Sequence, residues 1–184
     1  GGTHHAQRSQ GQGYCLFNDV AVAIEQLRHR RLAQRFVVID LDVHQGNGTA
    51  ELYAADADDF TFSMHGKQNF PFSKTPSDLD IALPGGTNDL IYLETLHQAL
   101  ERLPLREADM VFYIAGADPY QHDRLGKLSL TKTGLAVRDE MVLQTCEAFE
   151  LPVAISMAGG YAQQIEEIVD IHAETIRLAA TFAK

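Results

Sequence analysis

Asp40, Asp42 and His44 stand at alternate positions, followed by Gln45 and the glycine-rich turn Gly46-Asn47-Gly48. Alternation puts the three side chains on one side wherever the chain stays extended. Two carboxylates and an imidazole offer the oxygen and nitrogen donors that suit zinc or another borderline first-row ion. Packing explains them poorly, because carboxylates are rarely buried unless paired or metal-bound. Asp118, reached through Gly116-Ala117, is a natural third partner for Asp42 and His44. Three protein ligands with one open position are what a hydrolytic metal centre needs. The adjacent pair His4-His5 offers proton transfer near neutral pH. Tyr161 follows Gly159-Gly160, a pair that lets the backbone turn tightly and project a phenol over a site. Singly, each feature has an ordinary explanation. An Asp after a strand is more often a cap or turn residue, and two histidines at the start of a chain also fit a surface pair or a tag remnant.

These residues sit at the ends of apolar runs. Residues 36–39 precede Asp40, 60–64 precede His65, 110–114 lead into Asp118, and 153–157 lead into Gly159. Short runs of this kind, rich in β-branched and aromatic residues, read as strands buried on both faces. Open parallel sheets bind ligands at the carboxyl ends of their strands, so four such ends predict one convergent site. Helices alternate with the strands. The first is capped by Asn18 or Asp19 and runs to about Arg31, and a short one starts at Thr49 and covers 50–55. An amphipathic helix spans 89–103, where Leu90, Leu93, Leu96, Leu100 and Leu103 recur at three- and four-residue steps. Helices over 131–149 and 163–182 complete the set. Residues 66–84, with Pro71, Pro76 and Pro84, read as loop. The pattern predicts an α/β fold, a parallel sheet flanked by helices.

The 184 residues suit one domain with a sizeable core. A formal net charge of -10 argues against nucleic acid as primary partner and would attract a cationic substrate. Cys15 and Cys146 lie far apart and imply neither a disulfide framework nor a zinc knuckle; both read as small core residues. No apolar run reaches membrane-spanning length and no signal peptide is visible, so the expectation is a cytoplasmic protein with no membrane partner. The chain starts without methionine and reads as a piece of something longer.

Together the motifs resemble the zinc-dependent histone deacetylase family, which includes acetylpolyamine amidohydrolases and bacterial deacetylase-like proteins. The resemblance rests on His4-His5, Gly13-Tyr14-Cys15 with Asn18-Asp19, Asp40-x-Asp42-x-His44 with Gly46-x-Gly48, Gly116-Ala117-Asp118 and Gly159-Gly160-Tyr161, in order over nearly the whole chain. Gln45, where most members have a second His, and Asp123-Arg124-Leu125-Gly126 resemble the class IV branch. The resemblance implies an arginase/deacetylase-like three-layer α/β/α fold, one domain over 1–184 that is N-terminally incomplete. It implies removal of acetyl or other acyl groups from lysine in a protein or peptide, or from a small acylated amine such as an acetylpolyamine. By position, Asp42, His44 and Asp118 would bind Zn2+, or Fe2+ or another divalent ion. His5 would be general base and then general acid, with His4 its electrostatic partner. Asp40 would orient His4, Asn47 would hydrogen-bond the other His, and Tyr161 would polarise the acyl carbonyl. Tyr14 and Phe70 would wall the acyl-lysine tunnel, with Gly13, Gly159 and Gly160 at substrate-binding positions. Asp40, Asp42, His44, Ser63 and Met64 would frame a K+ or Na+ ion. A ureohydrolase of the arginase type is the first rival, but it needs a bridging carboxylate where Gly46 stands. A non-catalytic relative is the second, although every metal and acid-base position of the family is filled.

Overall fold

The computed structural model describes residues 2–183. Five strands form one wholly parallel sheet in the order β3-β2-β1-β4-β5. They are β1 (Phe36–Asp40), β2 (Asp59–Gly66), β3 (Leu79–Leu83), β4 (Met110–Ala115) and β5 (Val153–Met157). The helices are α1 (Asp19–His29), α2 (Asn47–Tyr53), α3 (Asp89–Leu100), α4 (Lys132–Ala148) and α5 (Ile165–Phe182).

The strand pleat sends successive side chains of β1 to opposite faces. Val37 and Ile39 join a large core with Phe62, Tyr113, Leu96 of α3, Val142 of α4 and Ile168 of α5. Phe36 and Val38 join a second core with Phe112, Val20 and Ile24 of α1 and Tyr53 beside them. A sheet covered on both faces explains the uninterrupted apolar runs. Asn18, rather than Asp19, caps α1, its side chain accepting the Ala21 N–H at 3.1 Å. Asn88 and Thr131 cap α3 and α4 in the same way.

Several expectations need correction. The segment 66–84 contains β3, an edge strand that buries Leu79 and Leu83 while Asp80 and Ala82 are exposed. Its alternation is too short and polar to register as an apolar run. Leu90 is 74% exposed; Tyr92, Leu96, Ala99 and Leu100 form the buried face of α3. The second helix starts at Asn47, two residues earlier than expected, and stops at Tyr53. Cys146 is buried as expected, but Cys15 lies in a surface loop and is half-buried. No described helix is long and apolar enough to cross a membrane.

Because β1, β4 and β5 are neighbours, the segments leaving their carboxyl ends emerge side by side. These segments carry Asp42 and His44, Asp118, and Tyr161.

Candidate active site

The chain stops being extended after Asp40. Asp40 Oδ1 accepts the Asp42 N–H at 3.1 Å, and Asp42 Oδ1 accepts the His44 N–H at 2.8 Å. Two linked aspartate turns therefore separate the three side chains expected on one side. Asp40 Oδ2 meets His4 Nδ1 at 2.6 Å. Asp42 and His44 are joined by Asp118 from the end of β4, and one ligand atom of each lies within 4.8 Å of the others. His44 Nδ1 is 3.0 Å from Asp42 Oδ1 and 3.1 Å from Asp118 Oδ2.

Backbone amides hold both carboxylates. Val43 N–H donates to Asp118 Oδ1 at 2.9 Å, and Gly159 N–H donates to Asp42 Oδ2 at 2.7 Å. A Cβ at position 159 would lie 1.8 Å from Asp118 Oδ2. Neither Gly159 nor Gly160 has a positive φ. Close approach to the carboxylates, not a left-handed turn, is what demands glycine at 159. Gly160 lies away from the cavity, and a Cβ there would strike Ile168 of α5.

Asp42 and Asp118 are buried and face each other. Burial, and then the charge of Asp42, raises the Asp118 carboxyl to about 7. Burial opposes ionisation of Asp42 too, but the His4 and His44 charges hold it well below the usual carboxylate range. Burial would lower His44, yet its bonds to Asp118 and Asp42 raise it to about 10. The space between these carboxylates thus demands positive charge. A divalent ion would answer that demand in place of the His44 proton, since metals bind deprotonated ligands. The Asp-His-Asp donor set, its two carboxylates buried, fits such an ion.

The histidine pair lies on a 3-10 turn, Gly2–His5, with both rings buried and their centroids 4.1 Å apart. His5 Nδ1 is 2.7 Å from Asn47 Oδ1, and Asn47 Nδ2 donates to Gln12 Oε1 at 2.7 Å. An amide oxygen only accepts, so His5 carries its proton on Nδ1 and keeps a lone pair on Nε2. Burial and the nearby charge of His4 lower His5 to about 3. Burial works against His4 as well, but Asp40 and Asp42 raise it to about 9. A neutral imidazole therefore sits beside a charged one.

His4, His5, Asp42, His44, Gly159 and Tyr161 share one cavity of about 500 Å³ with Gly13, Tyr14 and Phe70. The Phe70 ring meets His5 edge-on, centroids 5.0 Å apart. Tyr14 lines the cavity too and is 99% exposed. Burial, then the charges of Asp118 and Asp42, raises the Tyr161 phenol, which keeps its proton at neutral pH. Ser63 pairs with Asp40 in the β1–β2 register and Met64 is fully buried, both away from the cavity. His65, expected at a convergent strand end, lies 3.1 Å from Ser63 Oγ and does not line the cavity. Sequence reasoning missed Gln12, Phe72, Arg124 and Lys127. The first steadies Asn47, and the other three line the cavity.

Residues 1–176 match the family model of the histone deacetylase domain. An uncharacterized protein of Picosynechococcus sp. is 49% identical over 180 residues, covering 97% of this chain and 60% of that protein. Histone deacetylase 2 of Arabidopsis thaliana is 30% identical over 173 residues, 92% of this chain and 45% of its own length. The chain thus spans about half to three-fifths of these relatives. Among solved structures, an acetylpolyamine aminohydrolase from Burkholderia pseudomallei superposes with a TM-score of 0.81 at 25% identity, covering 95% of this chain and 53% of its own. A histone deacetylase homologue from Aquifex aeolicus also gives 0.81, at 27% identity over 98% of this chain and 50% of its own.

Proposed function

The chain belongs to the histone deacetylase family, and from that premise we propose that the protein is a zinc-dependent amidohydrolase that removes acetyl or other acyl groups from lysine side chains. The observation that carries this reading is that Asp42 and His44, which cluster with Asp118, line one cavity together with a His5 ring whose Nε2 is free to accept. Asp42, His44 and Asp118 would hold the ion, Zn2+ by donor type, although Fe2+ suits the same atoms. When bound, it supplies carbonyl polarisation and a water acidic enough to attack at neutral pH.

The chain's own residues do the rest. His5 Nε2 takes the proton of the attacking water and returns it to the leaving amine. Its Nδ1–H stays with Asn47, so the ring keeps one orientation through both transfers. His4, held on Asp40, lends positive charge beside the developing anion. The Tyr161 hydroxyl donates to the oxyanion, where one donor is worth about 3 kcal/mol. The Phe70 ring beside His5 suits the aliphatic stem of lysine. The family resemblance adds a K+ or Na+ ion framed by Asp40, Asp42, His44, Ser63 and Met64.

Acyl-lysine is favoured over an acetylpolyamine by the charges lining the cavity. Arg124 and Lys127 line it, and its only carboxylate among the described residues is the metal-site Asp42. A second ammonium on the substrate would meet like charge there. A binuclear ureohydrolase centre is disfavoured because Gly46 supplies no second carboxylate.

The test is an assay of the full-length protein on acetyl-lysine peptides, longer acyl-lysine peptides and acetylpolyamines, with metal analysis of the same sample. Acyl-lysine hydrolysis is expected, and Asp42→Ala should lose both metal and turnover. Metal-loaded protein that hydrolyses none of these amides would overturn the reading. So would an Asp42→Ala variant with full metal content.

A further inference from the structure

The motif Asp123-Arg124-Leu125-Gly126 supplies no metal donor and no proton-transfer group, yet it bridges the two halves of the site. One side of its loop rests on the Asp118 segment. Tyr120 N–H donates to Ala117 O at 3.2 Å, and Asp123 N–H donates to Tyr120 O at 2.9 Å. Gly126 packs so closely on Asp118 that a Cβ would lie 2.0 Å from the Asp118 carbonyl oxygen.

The other side holds Tyr161. Asp123 Oδ2 accepts the Tyr161 N–H at 2.5 Å. Arg124 donates twice to the Tyr161 carbonyl, from its backbone N–H at 3.3 Å and from Nε at 2.9 Å. Both polar backbone atoms of Tyr161 are thus taken by two consecutive residues. Asp123 is only 9% exposed, and its Oδ1 also accepts the Leu125 and Gly126 N–H groups, each at 2.8 Å. A carboxylate that accepts three backbone donors has little freedom to move.

Tyr161 needs such support. β5 ends at Met157 and α5 begins only at Ile165, so no regular element fixes the phenol. A side chain on an irregular segment stands where its backbone is held.

We infer that Asp123 and Arg124 are positioning residues, a clamp that sets the Tyr161 hydroxyl at a fixed place relative to Asp118. The inference rests on the proposed role of Tyr161 as oxyanion donor. Asp123→Asn puts an amide NH2 against backbone donors and loosens the clamp on the Tyr161 N–H. Arg124→Ala keeps the backbone bond to the Tyr161 carbonyl and loses only the one from Nε.

The experiment uses the full-length protein, steady-state kinetics on the acyl-lysine peptide it turns over fastest, and metal content and Tm for every variant. Tyr161→Phe should lower kcat by about 10²–10³-fold with little change in KM. Asp123→Asn should lower kcat by up to about 10²-fold, the usual result of a 1 Å misplacement, and Arg124→Ala by less. Metal content should stay at the wild-type level in all three. In the Tyr161→Phe background neither clamp variant should cost anything further, because the hydroxyl they place is gone. Losses that add in full on Tyr161→Phe would overturn the clamp, as would wild-type kcat in both clamp variants. If Asp123→Asn does not fold, the exposed Arg124→Ala decides by the same double-variant comparison. A Tyr161→Phe variant with wild-type kcat would instead remove the oxyanion role itself. That result is distinct from a slow Tyr161→Phe beside fast clamp variants.

Discussion

The protons of the histidine pair are assigned by two partners, an amide oxygen at His5 and a carboxylate at His4. Among the described residues His5 hydrogen-bonds no carboxylate, and its one side-chain hydrogen bond is made through Nδ1, which leaves Nε2 free to move a proton. His5→Ala should therefore abolish turnover while the metal content stays normal, read by metal analysis beside the assay. His4→Ala should be milder, since its part is electrostatic. Metal lost with His5 would make the pair ligands and end this assignment. At this scale the sequence was informative where chemistry is written into residue type: Asp42, His44, His5 and Tyr161 line one cavity, and Asp118 stands beside Asp42 and His44. It was silent on residues whose work is contact. Gln12 steadies Asn47 from 35 positions away, and Arg124 holds a backbone carbonyl 37 positions on. Neither contact leaves a periodic trace in the chain.

Helix α4 shows the same divide one level up. Its extent was expected over 131–149, but nothing in the sequence singles out Arg138-Asp139. Arg138 is in fact fully buried. Its Nη1 donates to Gly116 O at 2.7 Å and Leu41 O at 3.4 Å, the backbone at the ends of β4 and β1. Asp139 accepts from Arg138 Nε, from the Tyr113 hydroxyl and from Thr175 of α5. This network fastens two helices beneath the strand ends that carry the proposed metal donors. Arg138→Met keeps much of the volume but strands Asp139 in the core. It should destabilise the fold by about 3–5 kcal/mol in urea unfolding, the cost of a broken buried pair. A loss under about 1 kcal/mol, typical of a surface pair, would show that the network is incidental. Strand β3 escaped notice for another reason: Asp80 interrupts its apolar residues, and alternation over five residues is weak evidence.

Over the whole molecule, alternating strands and helices foretold a parallel sheet but could not give the order β3-β2-β1-β4-β5, which depends on which side each crossover takes. That order puts Asp42 and His44 beside Asp118, so an ion bound there would tie two neighbouring strands together. Chelation should then lower the Tm of the metal-loaded full-length protein, with about 2.7 kcal/mol at stake when free metal exceeds its dissociation constant a hundredfold. Asp42→Ala should ignore the chelator. An equal response in both forms would place the ion elsewhere. The same order sets Tyr161 apart. Its segment leaves β5, which among the described strands pairs only with β4 and is half-exposed along most of its length, whereas the donors leave β1 and β4. In this chain, amide exchange should begin at this strand, because opening a half-exposed strand costs less free energy than opening fully buried ones. Deuterium should enter the backbone leading to the phenol while the backbone behind Asp42 is still closed. The assembly then comes apart in sequence, the hydroxyl drifting out of register first and the carboxylates letting go last.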